Sequence, residues 1–465
     1  MSRYFNYRSI DDLREDIAAR GVGVRLDEKI EHLLQAVAIG PLTAGNRMAV
    51  HPMEGCDGTP DGRPGELTFR RWERFGAGGA KLIWGEATAV ASEARANPRQ
   101  LVIDDSTVPD LARLLESTRK AHRERFERED DLVVGLQLTH SGRWSYPHPI
   151  IGRHSRTIDP VKGLGPETPL LTDAELEGIV EAYGRAARLA RDAGFDFVDV
   201  KQCHTYLLNE MLAARTREGP YGGTFLNRTR LVREIIGRIR GEAGDRLVLA
   251  ARLNVYDGPR YAGAPGERGE AQPEPENTGW GVSEADGVSP DLTEPLRWVG
   301  ELRELGVAMV NVSMGSPYFN PHIGRPFERA PVDGYDPPEH PLDGVERHFR
   351  LAGDVQRAYP DLCVIGTGYS WLRHYAAAAG EANVRDGRIT MMGLGRGALA
   401  YPDFAADVAE TGGMVDKKAC IGVSYCTALM RAKNNEWGQF ATGCVPRDPL
   451  YAVEFKQAQA AEARK

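Results

Sequence analysis

Two short stretches carry residue types that suit a phosphate. Gly366-Thr367-Gly368-Tyr369-Ser370 lets backbone N–H groups approach an anion at the start of a helix. Gly395-Arg396 offers a second such turn, and arginine adds a two-pronged donor. Taken alone, these residues fit a pair of glycine turns with a surface arginine equally well. Other polar groups gather in short runs: Pro52-Met53-Glu54-Gly55, Glu86-Ala87-Thr88, Gln137 to Arg143, Lys201-Gln202-Cys203-His204-Thr205-Tyr206, Arg252 and Ser313-Met314-Gly315. Each run follows an apolar segment.

Those apolar segments number eight: Asn46–Met53, Ala80–Thr88, Asp131–Thr139, Phe195–Val200, Arg246–Leu253, Val307–Ser313, Leu362–Gly366 and Ile389–Leu394. Each is too short for a typical helix and is rich in Val, Ile, Leu or Met, as a strand buried on both faces should be. Amphipathic segments lie between them. Thr172–Ala193 has a Thr172/Glu175 capping box, apolar residues at helical spacing and Gly194 to end it. Phe225–Arg240 and Pro295–Leu305 show the same spacing. Strand and helix in alternation, repeated around eight strands, predict a (β/α)8 TIM barrel of the α/β class; a doubly wound sheet is the competing architecture. In such a barrel the polar runs would all stand at the carboxyl ends of strands, where chemistry is done. Gly393 to Ala398 fits G-x-G-x-x-A, but no further strand follows it, so a dinucleotide fold is rejected.

Two Pro-rich stretches break the rhythm: Asp257–Pro290 after the fifth strand and Tyr318–Pro341 after the sixth. They read as long loops. Residues 1–40 read as a helical leader (Ile10–Arg20, Glu28–Val37), residues 41–412 as the barrel and 413–465 as a C-terminal extension.

The chain has 465 residues, 42% of them hydrophobic and 27% charged, with a net charge of −8, so it is globular and not a general binder of nucleic acid or membrane surfaces. No apolar run is long enough to span a bilayer, and MSRYFNYRSIDDLRED has no signal-peptide core. Six cysteines without a C-x-x-C pair point to reduced thiols and a cytoplasmic setting.

The stretches NRMAVHPM, ARANPRQLVIDD, LQLTHSGR, GFDFVDVKQCHTYLLNEML, Tyr221 to Arg230, NPHIGRPF and MMGLGRGALAYPDF resemble the old yellow enzyme family of FMN-dependent oxidoreductases. The likeness is to the branch of 2,4-dienoyl-CoA reductases and trimethylamine dehydrogenase, in the family's order over about residues 41–412. The resemblance implies the barrel and an FMN across its mouth. It assigns Pro52, Met53, Glu54 and Ala87 to the ring system and Gln137 to its pyrimidine edge. Arg252 falls at the N1/C2 side, Ser313 and Gly315 at the ribityl chain, and Thr367, Gly368, Gly395 and Arg396 at the phosphate. It further implies hydride transfer from flavin N5 to an activated C=C bond, with NAD(P)H as electron donor. Lys201 and His204 would hold the substrate carbonyl, and Tyr206 would be the proton donor.

Three departures stand out. Lys201 replaces the family's His or Tyr, and an ammonium holds an enolate, phenolate or carboxylate oxygen more strongly than imidazole. Glu54 replaces Thr or Cys, which suggests a Glu54–Lys201 ion pair. Cys420, Cys426 and Cys444 are a remnant of the C-x2-C-x3-C-x11-C pattern of cluster-bearing relatives, with Val423 in one ligand position, so no iron–sulfur cluster is expected. The chain stops short of those relatives' second nucleotide domain. Electrons are then expected from free NAD(P)H or a separate protein. A homo-oligomer is left open. Rival readings are an FMN-dependent amine dehydrogenase or N-demethylase, and a Schiff-base lyase or aldolase built on Lys201. His140 and Arg143 receive no role, Trp84, Cys203 and Cys363 read as packing, and His322 reads as a surface residue.

Overall fold

Strands buried on both faces need helices outside and side chains inside, and the computed structural model, which describes residues 4–330 and 334–463, shows both. The strands are β1 (Met48–Val50), β2 (Leu82–Ala89), β3 (Val133–Thr139), β4 (Phe197–Val200), β5 (Val248–Tyr256), β6 (Val307–Met314), β7 (Cys363–Gly366) and β8 (Met391–Leu394). They form a closed parallel barrel in sequence order. The ring shuts where Met392, Gly393 and Leu394 pair with Met48, Ala49 and Val50. All eight expected strands are present, and the open sheet is excluded.

Eight helices follow the strands: α1 (Glu66–Gly76), α2 (Val108–Phe126), α3 (Asp173–Asp192), α4 (Phe225–Ala243), α5 (Thr293–Glu304), α6 (Pro341–Ala358), α7 (Ala376–Arg385) and α8 (Phe404–Thr411). The capping box of α3 forms as read: Thr172 Oγ1 accepts from the Glu175 N–H, and Glu175 returns the bond. The main apolar layer lies between strands and helices. A smaller one fills the barrel, where Leu82, Trp84, Val133, Phe197, Met309, Ile365 and Met391 meet. Space there is tight. A Cβ on Gly135 would fall 2.3 Å from the Phe197 ring, so only glycine passes that point of β3.

The leader differs from expectation. Ile10–Arg20 is helical, but Glu28–Val37 is not; it runs through turns into an antiparallel hairpin, Val37–Ile39 with Leu42–Ala44. A buried acid accounts for the difference. Glu381 of α7 accepts from the backbone N–H groups of His32 and Leu33, each at 2.9 Å, and meets His32 Nδ1 at 2.6 Å. Those bonds tie the segment to the barrel wall instead of to a helical turn. Ile39 and Ala44 of the hairpin then join the inner core, so the hairpin plugs the barrel's floor. Residue 40, the boundary drawn between leader and barrel, lies in the turn of this hairpin.

The insertion after β5 carries a small hairpin, Arg260–Ala262 with Glu270–Gln272. The loop after β6, whose residues 331–333 lie outside the described ones, carries the short helix Pro321–Gly324. The extension adds α9 (Tyr425–Arg431) and α10 (Pro449–Glu462) and returns to the mouth: the Thr442 N–H donates to Gly55 O at 2.6 Å, and the Arg431 guanidinium to Pro317 O at 3.1 Å. Among the described residues no helix is long and apolar enough to cross a membrane. Glu381→Ala should destabilise the protein by about 2 kcal/mol, because it leaves two buried N–H groups without an acceptor. Urea unfolding of the two proteins checks this, and an unchanged midpoint would show that the leader is not held this way.

Candidate active site

A buried carboxylate organises one side of the mouth. Asp199, in β4, accepts from Trp84 Nε1 of β2 at 2.8 Å, from Gln137 Nε2 of β3 at 2.5 Å and from the Arg252 N–H of β5 at 2.6 Å. Burial still pushes its carboxyl up to about 6. The Gln137 amide nitrogen is committed to Asp199, which leaves its oxygen for another donor. Ala87 stands beside it in register across β2 and β3. Trp84 is therefore more than packing: it holds Asp199.

The turn after β4 is strained where it matters. His204 and Thr205 both have positive φ, 63° and 56°, which disfavours non-glycine residues. This turn brings Lys201, His204 and Tyr206 together. Lys201 is buried with its Nζ 3.5 Å from the centre of the Tyr206 ring. His204 Nε2 lies 3.2 Å from Ser313 Oγ, and burial beside Arg252 and Lys201 keeps the imidazole neutral. The Tyr206 hydroxyl meets that of Tyr318 at 2.9 Å, and Tyr318 stacks on Trp144 at 3.8 Å.

Glu54 and Lys201 influence one another but form no direct ion pair, so that expectation is corrected. The Glu54 carboxylate instead accepts from Asn97 Nδ2. Burial pushes its carboxyl up to about 7, with Lys201 opposing. Burial lowers Lys201 to about 8, with Cys203 and Glu54 opposing.

The other side of the mouth holds positive charge without carboxylate partners. Arg252 Nε is buried and makes no hydrogen bond. Arg396 reaches Thr427 Oγ1 at 3.3 Å and Arg325 reaches Ser424 Oγ at 2.8 Å, both hydroxyls being in or next to α9. Burial depresses both guanidinium groups, and Arg396 adds to the depression of Arg325. Two adjacent, partly buried arginines without an acid suit an anion. The Gly397 N–H donates to Ser370 Oγ at 3.1 Å and so joins the loops after β7 and β8. Gly368 has φ 97°, and a Cβ there would lie 2.7 Å from the His348 side chain, so the close approach needs glycine. Gly315 (φ 63°) follows β6 in a similar turn. The Thr367 hydroxyl is already committed to Val312 O at 3.0 Å and His348 Nδ1 at 2.8 Å, which leaves its backbone for a ligand. Pro52 and Met53 leave β1 toward this side, and a Cβ on Gly395 would lie 3.0 Å from Met53 Sδ.

Sequence reasoning missed Arg325, although NPHIGRPF contained it, and missed Tyr318, Asn97 and Arg431. An unpaired arginine inside an ordered motif was the available signal for Arg325; the tail gave none for Arg431. His322 is not a surface residue: it is buried, with Nδ1 2.7 Å from the Tyr335 hydroxyl. Arg143 is tied to Asp159 and Glu210, and the Gly142 N–H donates to His140 Nδ1. Cys203 and Cys363 are buried. Among the described residues, no cluster of three or more His, Cys, Asp or Glu side chains could hold a metal ion.

The residues fit a flavin mononucleotide: an orphaned Arg252 for an electron-rich ring edge, Gln137 beside it, and Arg325 with Arg396 for the phosphate. Residues 32–265 match the NADH:flavin oxidoreductase / NADH oxidase family. An NADPH dehydrogenase of Geobacillus sp. (strain WCH70) is 30% identical over 295 residues, covering 61% of this chain and 73% of that protein. The fold superposes on 2-naphthoyl-CoA reductase with a TM-score of 0.68 and 19% identity, over 91% of this chain but only 58% of that one. It superposes on an old yellow enzyme homologue from Zymomonas mobilis with a TM-score of 0.58 and 20% identity, over 83% and 95% of the two chains. The chain belongs to the NADH:flavin oxidoreductase / NADH oxidase family and is an FMN-dependent oxidoreductase.

Proposed function

We propose that the protein reduces the C=C bond of a small alkene conjugated to a carbonyl, with electrons from NAD(P)H. The observation that carries this reading is the meeting of Lys201, His204 and Tyr206 on one strained turn, with Lys201 Nζ over the face of the Tyr206 ring, 3.5 Å from its centre. FMN, when bound, supplies the two-electron chemistry. The chain's own groups do the rest. The Lys201 ammonium and the neutral His204 imidazole donate to the carbonyl oxygen and stabilise the negative charge that grows there. Tyr206 gives its phenolic proton to the carbon next to that carbonyl. Arg252, whose buried Nε has no partner, would face an electron-rich edge of the FMN ring and favour its acceptance of electrons. The C-terminal extension lends hydroxyl groups of Ser424 and Thr427 to Arg325 and Arg396 and so holds both guanidinium groups in place.

One observation favours a second reading, oxidation of a small amine. Trp144, Tyr318 and Tyr206 form an aromatic wall that would suit a cation. Lys201 already occupies the face of Tyr206 and repels another positive charge. Membership of a flavin oxidoreductase family leaves the flavin-free lyase without support. The protein should be bleached by NADPH or NADH and then regain its yellow colour with 2-cyclohexenone. Bleaching of the oxidised yellow protein by a trimethylamine-type substrate, with no colour recovery on adding enones, would establish the second reading instead.

Lys201→Met should lower kcat/KM for the enone by roughly 10- to 100-fold, the worth of one charged hydrogen bond, and leave FMN bound. A variant as fast as the parent would remove Lys201 from the reaction. Arg325→Ala should weaken FMN retention by roughly tenfold or more, read by ultrafiltration and flavin fluorescence. Retention equal to the parent's would place the phosphate elsewhere.

The pH profile gives a separate check. Lys201 keeps its proton below about 8 and loses it above, so kcat/KM for the enone should fall on the alkaline side with a midpoint near 8. The Glu54 carboxylate helps to hold that proton. Glu54→Gln should therefore move the midpoint to lower pH. Lys201→Arg, whose guanidinium stays charged, should abolish the alkaline limb. A limb that neither variant moves would belong to another group.

A further inference from the structure

The proton that Tyr206 gives away must be replaced, and Tyr206 itself is badly placed to collect one. It is buried, with 5% of its surface exposed. Its hydroxyl has one hydrogen-bonding neighbour in the structure, the Tyr318 hydroxyl at 2.9 Å. Tyr318 comes from a different part of the chain, the loop after β6, and is less deeply buried than Tyr206, so it is the outer member of the pair. The two rings lie nearly parallel, 22° apart with centres 6.2 Å from each other, and Trp144 stacks against Tyr318 on its other side. Two phenols held in this way by aromatic packing keep their hydroxyls in one geometry. Arg431 of the extension stands by the outer phenol, with its guanidinium bonded to Pro317 O at 3.1 Å.

We propose that Tyr318 is a positioning and relay residue, through which solvent reprotonates Tyr206, and that Arg431 of the C-terminal extension supports it. This rests on the reading of Tyr206 as proton donor. The step balances as follows. The Tyr206 O–H bond breaks and a C–H bond forms on the substrate carbon. The Tyr318 O–H bond breaks and the Tyr206 O–H bond is remade. Water then returns a proton to Tyr318. No electrons move, and the net change is one proton taken from solvent.

Electrostatics agree with this direction. Burial raises both phenols, and the Glu54 carboxylate and Cys56 add to both. On Tyr318 the Arg431 cation opposes that rise. The hydrogen bond between the two phenols favours charge on Tyr318 and disfavours it on Tyr206. A transient phenolate is thus better held at the outer position, beside a cation and favoured by the hydrogen bond from Tyr206, than at the inner one.

The test uses the flavin-loaded full chain, Tyr318→Phe, Tyr206→Phe and the double variant, with 2-cyclohexenone as substrate. Phenylalanine keeps the stack on Trp144, and thermal unfolding checks that it does. Tyr318→Phe should lower kcat by roughly tenfold with little change in KM. Its solvent-isotope dependence should change from the curved plot of several moving protons to a straight line. The double variant should be no slower than Tyr206→Phe, because Tyr318 acts only through Tyr206. Independently of turnover, 3-fluorotyrosine placed at position 206 in the flavin-free protein should show a fluorine resonance that moves on Tyr318→Phe. Arg431→Gln should slow kcat in the same direction but less. If the parent reduces the enone while Tyr318→Phe keeps its kcat within twofold and its curved isotope plot, the relay is overturned and the enone reading stands. If the parent reduces no enone, the enone reading fails and takes the relay with it.

Discussion

The mouth of this barrel is governed by positive charge that is partly withdrawn from water. Arg252, Arg325 and Arg396 are partly buried there without carboxylate partners, and the buried Lys201 lies near Arg252. Burying a guanidinium costs free energy unless something negative or electron-rich faces it. The protein could have supplied acids, as it does for Arg71 with Asp57 and Glu86 and for Arg143 with Asp159 and Glu210. At the mouth it supplies hydroxyl groups and backbone turns instead. Such an arrangement suits a phosphorylated, electron-accepting ring system.

The opposite side of the mouth is built on Asp199. One buried carboxylate ties β2, β3 and β5 to β4, and orients Gln137 in doing so. The turn that follows β4 carries two residues with positive φ, and this strain is tolerated because the strand beneath it cannot move. Rigid strands and one strained turn together place an ammonium, an imidazole and a phenol within reach of a common point. The stiffness of the barrel is what makes the chemistry of that turn reproducible.

The strands were legible because their signal is local. Runs such as Val133–Thr139 and Val307–Met314 are apolar throughout, as strands covered on both faces must be, and the polar residues after them marked the working end of the barrel. Lys201, His204 and Tyr206 could be placed because they share one short run. What was not legible depends on partners far away in sequence. Glu28–Val37 looks helical until Glu381, 349 residues from His32, takes its backbone donors. His322 looks exposed until Tyr261 and Tyr335 enclose it. The Glu54–Lys201 pair looked natural by charge, but Asn97 is the nearer partner for the acid. Arg325, Tyr318 and Arg431 reach the mouth from a loop and a tail whose composition gives no periodicity to read.

The hairpin under the barrel has a consequence for traffic. Ile39 and Ala44 cork the lower end, and Trp84 and Phe197 fill the bore above them, so nothing passes through the ring of strands. Among the described residues, the upper opening, which the tail borders, leads to the face where Lys201 and Tyr206 stand. Electron donor and electron acceptor must use the same doorway and the same floor space, one after the other. The fold therefore imposes alternation: each visitor must depart before the next arrives, and an excess of either should obstruct the other.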